Sequence, residues 1–387
     1  MSDVLQNDRM IQMSKEKKVS VAAGLTFLVI VVLHFVVSKF ADITYLVSAE
    51  EAKVLLDSGN ANFFQKPLAR IVADHPGMGF VNNIMLSQGM LLIPVLIFLL
   101  VVCLKKWVKL SDILHLKNMH WASWLLIPLI FILTEPLFMA VNALSQVLFR
   151  NHIGSVLTGT VTNLPFPAAV LLIALTPAIV EELTCRGMIL GSLSHDHDPL
   201  PGILISGLTF GLMHMNINQF LYASLLGFLM ATIVYCCGSI FASSLLHFIF
   251  NAFSVILLFL ISKGLPRLME ILGNSGSGMD QESMQQALNQ ATSNPDTSSL
   301  VLAGMMFLIP GILGFGLALC LIYLLAKLNH RDQLIKDLFR KRTPEAQAAL
   351  RASRKADRKE KGRYITLFLG IAWACAFVIC ILTEFGI

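Results

Sequence analysis

Charged residues are scarce in this chain of 387 residues. Asp, Glu, Lys and Arg together account for 14% of the residues, whereas a soluble globular domain carries about 25%. Hydrophobic residues make up 56%. This balance excludes a water-soluble globular domain and indicates an integral membrane protein.

Cysteine is absent from every predicted loop. None of the seven cysteines has the spacing of a zinc knuckle, and none is placed to form an extracellular disulfide, so we expect them to be small packing residues. They are Cys103, Cys185, Cys236, Cys237, Cys320, Cys375 and Cys380.

Internal repeats and a signal-peptide cleavage site are also lacking. The apolar run after Lys18 is too long for the core of a signal peptide, so we expect it to be retained as the first span. The lack of paired repeats argues against a transporter or channel built from two similar halves.

The long apolar runs predict an all-α, polytopic transmembrane helix bundle of about nine spans. These cover about 19–40, 82–104, 121–149, 165–193, 200–215, 219–237, 239–262, 299–327 and 364–384. We divide the chain into an N-terminal extension with two spans and an outer loop, a membrane core, an outer polar insert, and C-terminal spans with a basic linker. The boundaries are 1–119, 120–262, 263–298 and 299–387.

Basic residues are unevenly distributed between the predicted loops. The segments 1–18, 105–120 and 327–363 hold 21 of the 29 Lys and Arg residues. The positive-inside rule therefore predicts a cytoplasmic N-terminus. The basic linker is expected to bind anionic lipid of the bilayer, and the overall composition favours a bacterial plasma membrane. No nucleic-acid partner is expected, and the oligomeric state stays open.

Two carboxylates and a guanidinium lie inside the fourth predicted span, in the run Glu181-Glu182-Leu183-Thr184-Cys185-Arg186. Glu182 and Arg186 are four residues apart on one helical face and can pair. Glu181 points about 100° away and has no local partner. The pattern indicates either a catalytic base beside a structural ion pair or an ion-pair network that fixes helix packing.

Further polar residues lie at a similar depth in other spans. Counted from the predicted cytoplasmic ends, Glu181 and His214 lie roughly 20 Å deep and His247 roughly 14 Å at 1.5 Å per residue. This agreement predicts a single site below the cytoplasmic surface. The cluster at 195–198, His-Asp-His-Asp, is a second metal-site candidate, but neighbouring side chains in a short turn diverge, so we interpret it as a solvated loop.

Three short motifs follow one another on separate spans: Glu181-Glu182-x-x-x-Arg186, Phe210-x-x-x-His214 and His247-x-x-x-Asn251. Together they resemble the signature of the CPBP intramembrane proteases. That family comprises the type II CAAX prenyl endopeptidases and the bacteriocin-processing or self-immunity (Abi) proteins. The resemblance covers about 120–262.

The resemblance implies an endopeptidase that acts on a peptide or membrane-protein substrate. In this family pattern Glu181 and His214 activate a water molecule for attack on a peptide carbonyl. His247 and Asn251 stabilise the oxyanion that forms. An imidazole and an amide one helical turn apart suit this role, because both can donate to one oxygen.

Glu182, Arg186 and Phe210 are implied as structural support for these residues. The chain departs from the family pattern at Cys185, where an aromatic residue usually precedes the arginine. This departure removes no functional group.

A metal-dependent mechanism stays open at this point. Glu181, His214 and His247 could form a His-His-Glu zinc site with a free fourth position. Against zinc, the chain has no His-Glu-x-x-His helix, and two ligating imidazoles would leave only Asn251 for the oxyanion. We favour a water-activating glutamate, with zinc as the one possible cofactor. A non-catalytic membrane scaffold or immunity protein that binds a partner enzyme is the alternative function.

Overall fold

The computed structural model describes most of the membrane bundle. The described ranges are 2–37, 49–63, 65–75, 78–149, 163–193, 199–264, 296–339 and 365–385, with a few isolated positions between them. Within these ranges the chain forms helices and no strand; the one β-type contact is an isolated bridge between Leu116 and Ser239. The predicted all-α polytopic bundle is confirmed.

Thirteen helices are labelled here in chain order. The first six are α1 Ser2–Val36, α2 Ala49–Asp57, α3 Gln65–Asp74, α4 Met78–Lys105, α5 Leu110–Ile113 and α6 Ser123–Leu148. The next four are α7 Phe166–Leu193, α8 Pro199–Leu212, α9 Ile217–Cys237 and α10 Ile240–Phe259. The last three are α11 Thr297–Leu328, α12 Asp332–Phe339 and α13 Leu367–Phe385.

Eight of the described helices are long and apolar enough to cross a membrane: α1, α4, α6, α7, α9, α10, α11 and α13. The fifth predicted span differs from the prediction, because α8 has only 14 residues. At 1.5 Å per residue it is roughly 21 Å long, short of the hydrocarbon thickness of about 30 Å. Among the described residues, the bundle therefore has eight helices of spanning length and one shorter apolar helix.

A tight turn explains why α8 is short. The predicted span ran to about 215, but Met215 adopts a left-handed conformation with φ of 50°, which ends the helical path. Asn216 then caps α9, since its side-chain oxygen accepts a hydrogen bond from the Gln219 N–H at 3.0 Å. The turn carries His214, so α8 and α9 form a hairpin with that residue at its tip.

Small residues let α8 and α9 approach closely. A Cβ atom at Gly227 would lie 2.8 Å from the Cα atom of Gly207, and a Cβ atom at Gly207 would lie 2.0 Å from the ring of Phe228. Close contact through glycine is a common way for membrane helices to pack. It also brings the backbone of α9 within reach of side chains from α7.

One end of the bundle is held together by hydrogen bonds between segments distant in sequence. The Lys117 N–H donates to the Gly238 carbonyl at 3.3 Å, and the Ile240 N–H donates to the His115 carbonyl at 3.1 Å. Arg331, which follows α11, donates to the Tyr235 carbonyl at 2.8 Å. These bonds fix the turn between α9 and α10 and thereby the start of the helix that carries His247.

The first and last spans pack against the core of the bundle. Ser20 of α1 donates to the Ser192 carbonyl at the end of α7 at 2.8 Å. Trp373 of α13 donates through Nε1 to the hydroxyl of Thr209 on α8 at 3.0 Å. The N-terminal and C-terminal spans are therefore parts of one bundle with the predicted core.

Several predictions lie outside the described residues. The 195–198 cluster is one of them, as are most of the polar insert 263–298 and most of the basic linker beyond 339. The four-segment division, the cytoplasmic position of the N-terminus, the plasma membrane and the bacterial origin stay predictions. A multi-pass membrane protein is what the eight apolar helices indicate.

Candidate active site

The helix that carries both glutamates is not a regular α-helix. Two π-helical stretches, Val170–Leu175 and Leu183–Leu190, flank the α-helical segment Thr176–Glu182. Pro177 lies near the first junction and has no N–H for the helical ladder. Short π-helical stretches recur at functional sites, and here Glu181 and Glu182 end the α-helical segment between two of them.

Arg186 and Glu182 form a fully buried ion pair. The Nη1 atom of Arg186 lies 2.7 Å from Oε1 of Glu182, and both side chains are 0% exposed. The Nη2 atom of Arg186 donates to the Gly227 carbonyl at 3.0 Å. The guanidinium also lies over the ring of Phe210, 4.6 Å from its centroid. The predicted pair is present, and α8 and α9 hold the same guanidinium.

Glu182 has a second partner that the sequence analysis did not anticipate. The Nδ1 atom of His247 lies 3.1 Å from the same oxygen of Glu182. A carboxylate paired with arginine can only accept a hydrogen bond, so Nδ1 of His247 carries the proton. Glu182 thus links the guanidinium on α7 to the imidazole on α10 and fixes the orientation of that ring.

The other nitrogen of His247 faces Glu181. Its Nε2 atom lies 3.8 Å from Oε2 of Glu181, which is longer than a direct hydrogen bond. Glu181 is 8% exposed and His247 is 3% exposed. The two atoms are too close for a water molecule to lie between them, but a water molecule to one side of the pair can contact both.

Phe210 lies between the two predicted histidines. Its ring contacts the imidazole of His214 with centroids 5.1 Å apart and that of His247 with centroids 5.4 Å apart, both edge to face. The Nδ1 atom of His214 lies 2.7 Å from the Phe210 carbonyl. A carbonyl only accepts hydrogen bonds, so Nδ1 carries a proton, and Nε2 is an acceptor whenever the ring carries that one proton alone.

Asn251 is half-buried, one turn after His247 on α10. Its amide makes no hydrogen bond to any residue in the described part of the chain. The structure therefore brings Glu181, His247, Phe210 and His214 to one place by direct contacts, and Asn251 belongs to that place by its position on α10.

The sequence analysis missed Gln88 and His34. The Nε2 atom of Gln88 on α4 donates to Oε1 of Glu181 at 3.1 Å, so Glu181, which was predicted to lack a local partner, has one from a distant helix. His34 on α1 interacts electrostatically with both Glu181 and His214. Both residues were visible as polar groups inside apolar runs, the same signal that singled out Glu181.

The zinc alternative finds no support in the geometry. In the ranges that the structure describes, no three His, Cys, Asp or Glu side chains are arranged to hold a metal ion. Glu181, His214 and His247, the ligand set of the zinc alternative, are therefore not grouped as metal ligands in this conformation. Their hydrogen bonds to Gln88, Phe210 and Glu182 are the contacts that orient them.

A comparison with known families bears on this site. Residues 163–253 match the family model described as Type II CAAX prenyl endopeptidase Rce1-like. The matched segment contains all seven predicted site residues and excludes Gln88 and His34. No curated protein and no solved structure matches the chain. By this match, residues 163–253 are similar to the Rce1-like CAAX prenyl endopeptidases, which supports the resemblance to the CPBP proteases.

Proposed function

We propose that the protein is an intramembrane endopeptidase that hydrolyses a peptide bond of a membrane-associated peptide or protein. The observation that carries the proposal is the buried gap of 3.8 Å between Oε2 of Glu181 and Nε2 of His247. His214 contacts the ring of Phe210, which also contacts His247, and Asn251 lies one helical turn after His247. A base, an orienting group and two oxyanion donors are what peptide hydrolysis by water requires.

The first step is attack by water. Glu181 removes one proton from the water, and Nε2 of His214 accepts a hydrogen bond from its other O–H and so orients it. The oxygen then bonds to the carbonyl carbon of the substrate. The electron pair of the C=O bond moves to the carbonyl oxygen, which becomes an oxyanion.

The oxyanion receives hydrogen bonds from the Asn251 amide and from Nε2–H of His247. Because Nδ1 of His247 already donates to Glu182, the ring must be an imidazolium to donate from Nε2 as well. With that charge, His247 and Arg186 balance Glu181 and Glu182, so the buried site is neutral overall. Each oxyanion donor contributes about 2.7–4 kcal/mol to stabilising the transition state.

Collapse of the tetrahedral intermediate breaks the C–N bond. The proton taken up by Glu181 passes to the leaving nitrogen, and the products are a carboxylic acid and an amine. Glu182, Arg186 and Phe210 take no part in bond making. They hold His247 and His214 in orientation through the contacts described above.

The substrate class follows from where the site lies. Glu181 and His247 are buried between spans, so a substrate peptide must reach them from within or beside the membrane. The matching family is described as a CAAX prenyl endopeptidase, and its name suggests substrates with a prenylated C-terminal tail. For this chain we propose the broader class of a peptide segment anchored at the bilayer.

The test compares wild type with Glu181→Gln in native membranes by quantitative mass spectrometry of peptide termini. We expect termini that depend on the wild-type protein and that decrease by about 100- to 10,000-fold in the variant. Glu135→Gln is the matched control, because Glu135 is a buried carboxylate on α6 with 9% exposure and is not part of the site. We expect it to leave the cleaved termini unchanged.

Two results would contradict the proposal. Identical termini in wild type and Glu181→Gln, with both proteins folded and equally abundant, would favour a non-catalytic scaffold or immunity protein. One zinc ion per purified chain, with cleavage lost on chelation and regained on adding zinc, would contradict the metal-independent route while leaving a protease.

A further inference from the structure

The carboxylate of Glu181 is held by a helix outside the matched family segment. The Nε2 atom of Gln88 on α4 lies 3.1 Å from Oε1 of Glu181 on α7. The family match begins at 163 and so includes Glu181 but not α4. A span of the N-terminal extension thus supplies the hydrogen bond to the proposed base.

The hydrogen bond to Glu181 orients the side-chain amide of Gln88. Its other polar atom, Oε1, is buried and accepts no hydrogen bond from the described residues. An amide inside an apolar span without a polar partner is costly. The bond to Glu181 is therefore what orients the side chain of Gln88, and it orients the Glu181 carboxylate in return.

The two oxygens of Glu181 have different surroundings. Oε1 accepts from Gln88, whereas Oε2 faces Nε2 of His247 across the 3.8 Å gap. An unsupported carboxylate could rotate and offer either oxygen to the gap. With Oε1 engaged, Oε2 is the oxygen that is directed at the position of the attacking water.

We propose that Gln88 is a positioning residue for the hydrolytic reaction: its amide N–H fixes the Glu181 carboxylate so that Oε2 receives the proton from water. This inference rests on the proposed function. It makes the N-terminal extension a part of the active site, because the site would be incomplete with residues 163–253 alone.

Other groups near Glu181 do not replace this bond. His247 from α10, His34 from α1, Tyr222 from α9 and Cys185 from α7 itself all interact electrostatically with Glu181. Among the described residues, none of them donates a hydrogen bond to Oε1. Gln88 differs from the two histidines because its amide donates without a charge that changes with pH.

The pH dependence follows from this difference. A hydrogen bond donated to a carboxylate favours its ionised form, so loss of the Gln88 donor moves the acidic limb of the kcat/KM profile to higher pH. Since Gln88 is neutral, its removal changes no charge among His34, His247, Tyr222 and Cys185. A variant that only loosened packing would lower the amount of folded enzyme and leave the pH profile in place.

The experiment uses the full-length protein and a peptide substrate identified from the termini that depend on Glu181. Gln88→Met keeps the length of the side chain and removes the donor. We expect kcat to fall by about 10- to 100-fold, as for the loss of a hydrogen bond to a charged group, with KM within about twofold. The acidic limb of kcat/KM moves to higher pH.

Two further variants sharpen the test. Gln88→Glu is isosteric and places a second carboxyl beside Glu181, so it should lose activity at neutral pH. It should recover part of that activity at lower pH, where the two carboxyls share a proton. Ser87→Ala is the matched control on the same helix, because among the described residues the Ser87 hydroxyl bonds only to the Ile84 carbonyl, at 2.9 Å. We expect wild-type kinetics from it.

An infrared measurement tests the contact without relying on activity. The carboxylate band of Glu181, assigned by its disappearance in Glu181→Gln, should shift in Gln88→Met and stay in place in Ser87→Ala. A band that does not move, or a Gln88→Met enzyme with wild-type kcat and pH profile, overturns the inference. A shifted band in a protein without any cleavage would support the Gln88 contact and reject the proposed function instead.

Discussion

Two helix interfaces in this bundle solve the problem of membrane packing in different ways. Where α7 meets α10, ionised side chains are buried and contact one another, with Glu182 between Arg186 and His247. Where α6 meets α11, the contact is made by glycines of one helix against leucines of the other. The facing pairs are Gly304 with Leu144, Gly311 with Leu137 and Gly314 with Leu133.

The glycine interface depends on the distance between backbones. A Cβ atom at Gly314 would lie 2.1 Å from the Leu133 carbonyl oxygen, so the two helices are in backbone contact there. Such an interface gains its stability from van der Waals packing and needs no polar partner. Each contact can be weakened without leaving a charge exposed to the membrane interior.

The charged interface behaves differently because its members depend on one another. Arg186 neutralises Glu182, Glu182 orients His247, and His247 faces Glu181. Removing one member leaves another charge buried and unpaired, which costs more than the pair contributes. From this comparison we infer that the interface of α6 and α11 stabilises the fold. The interface of α7 and α10 is less stabilising, and it orients the side chains of the candidate site.

The largest effect that tests this comparison is expected from Arg186→Met. The change leaves Glu182 fully buried without its cation, so we expect a loss of about 3–5 kcal/mol in the free energy of unfolding. Denaturant unfolding of the purified protein in detergent measures it.

The matched control for that prediction is the double variant Glu182→Gln/Arg186→Met, which has no charge at either position. We expect it to regain most of the lost stability, because the penalty comes from the unpaired carboxylate. Equal stability of the single and double variants would show that packing around Arg186, and not its charge, determines the effect.

A smaller effect is expected at the glycine interface. Gly314→Ala places a methyl group against the Leu133 backbone, and we expect a loss of about 1–3 kcal/mol in the free energy of unfolding. Cleavage per folded molecule should not change, since the site lies on other helices. Gly316→Ala is the control on the same helix, because a Cβ atom there has nothing within 4 Å.

The two alanine variants should change the free energy of unfolding in opposite directions. Gly316→Ala removes a flexible residue from a helix without a steric conflict, so it should raise stability by about 0.5–1 kcal/mol. If both variants were equally stable, the close approach of α6 and α11 would not contribute to folding, and the comparison between the interfaces would fail.

The sequence was sufficient for the helical class and for eight of the nine predicted spans, but not for the fifth. The four-residue spacing of Glu182 and Arg186 correctly predicted their ion pair. The resemblance to the CPBP proteases is likewise confirmed by the family match at 163–253. These features are local in sequence or carried by short motifs.

The features that sequence reasoning missed depend on which helices are neighbours. Gln88 was visible as a polar residue in the second predicted span, but nothing in a sequence states that α4 lies beside α7. Glu182 could be paired with Arg186 from spacing, yet its bond to His247 joins residues 65 positions apart. The early end of α8 depends on the left-handed turn at Met215, which an apolar run conceals.

The smallest effect concerns the last span, which lies outside the matched segment as α4 does. Trp373→Phe removes the hydrogen bond from Nε1 to the Thr209 hydroxyl at 3.0 Å but keeps an aromatic ring. Thr209 retains its bond to the Ile205 carbonyl at 2.7 Å, so no buried hydroxyl is left unpaired. We therefore expect a loss of about 0.5–1.5 kcal/mol in the free energy of unfolding, with unchanged cleavage.

A double-variant cycle with Thr209→Val isolates that hydrogen bond, because the Trp373→Phe change should cost less when the hydroxyl is already absent. If Trp373→Phe instead lowered kcat as much as Gln88→Met, α13 would also be a part of the site. Both outer spans would then affect the rate of cleavage. The distinction between interfaces that stabilise the fold and interfaces that orient the site residues would not hold. Unchanged kcat with reduced stability places α13 with α6 and α11, and separates it from α4, which contacts Glu181 through Gln88.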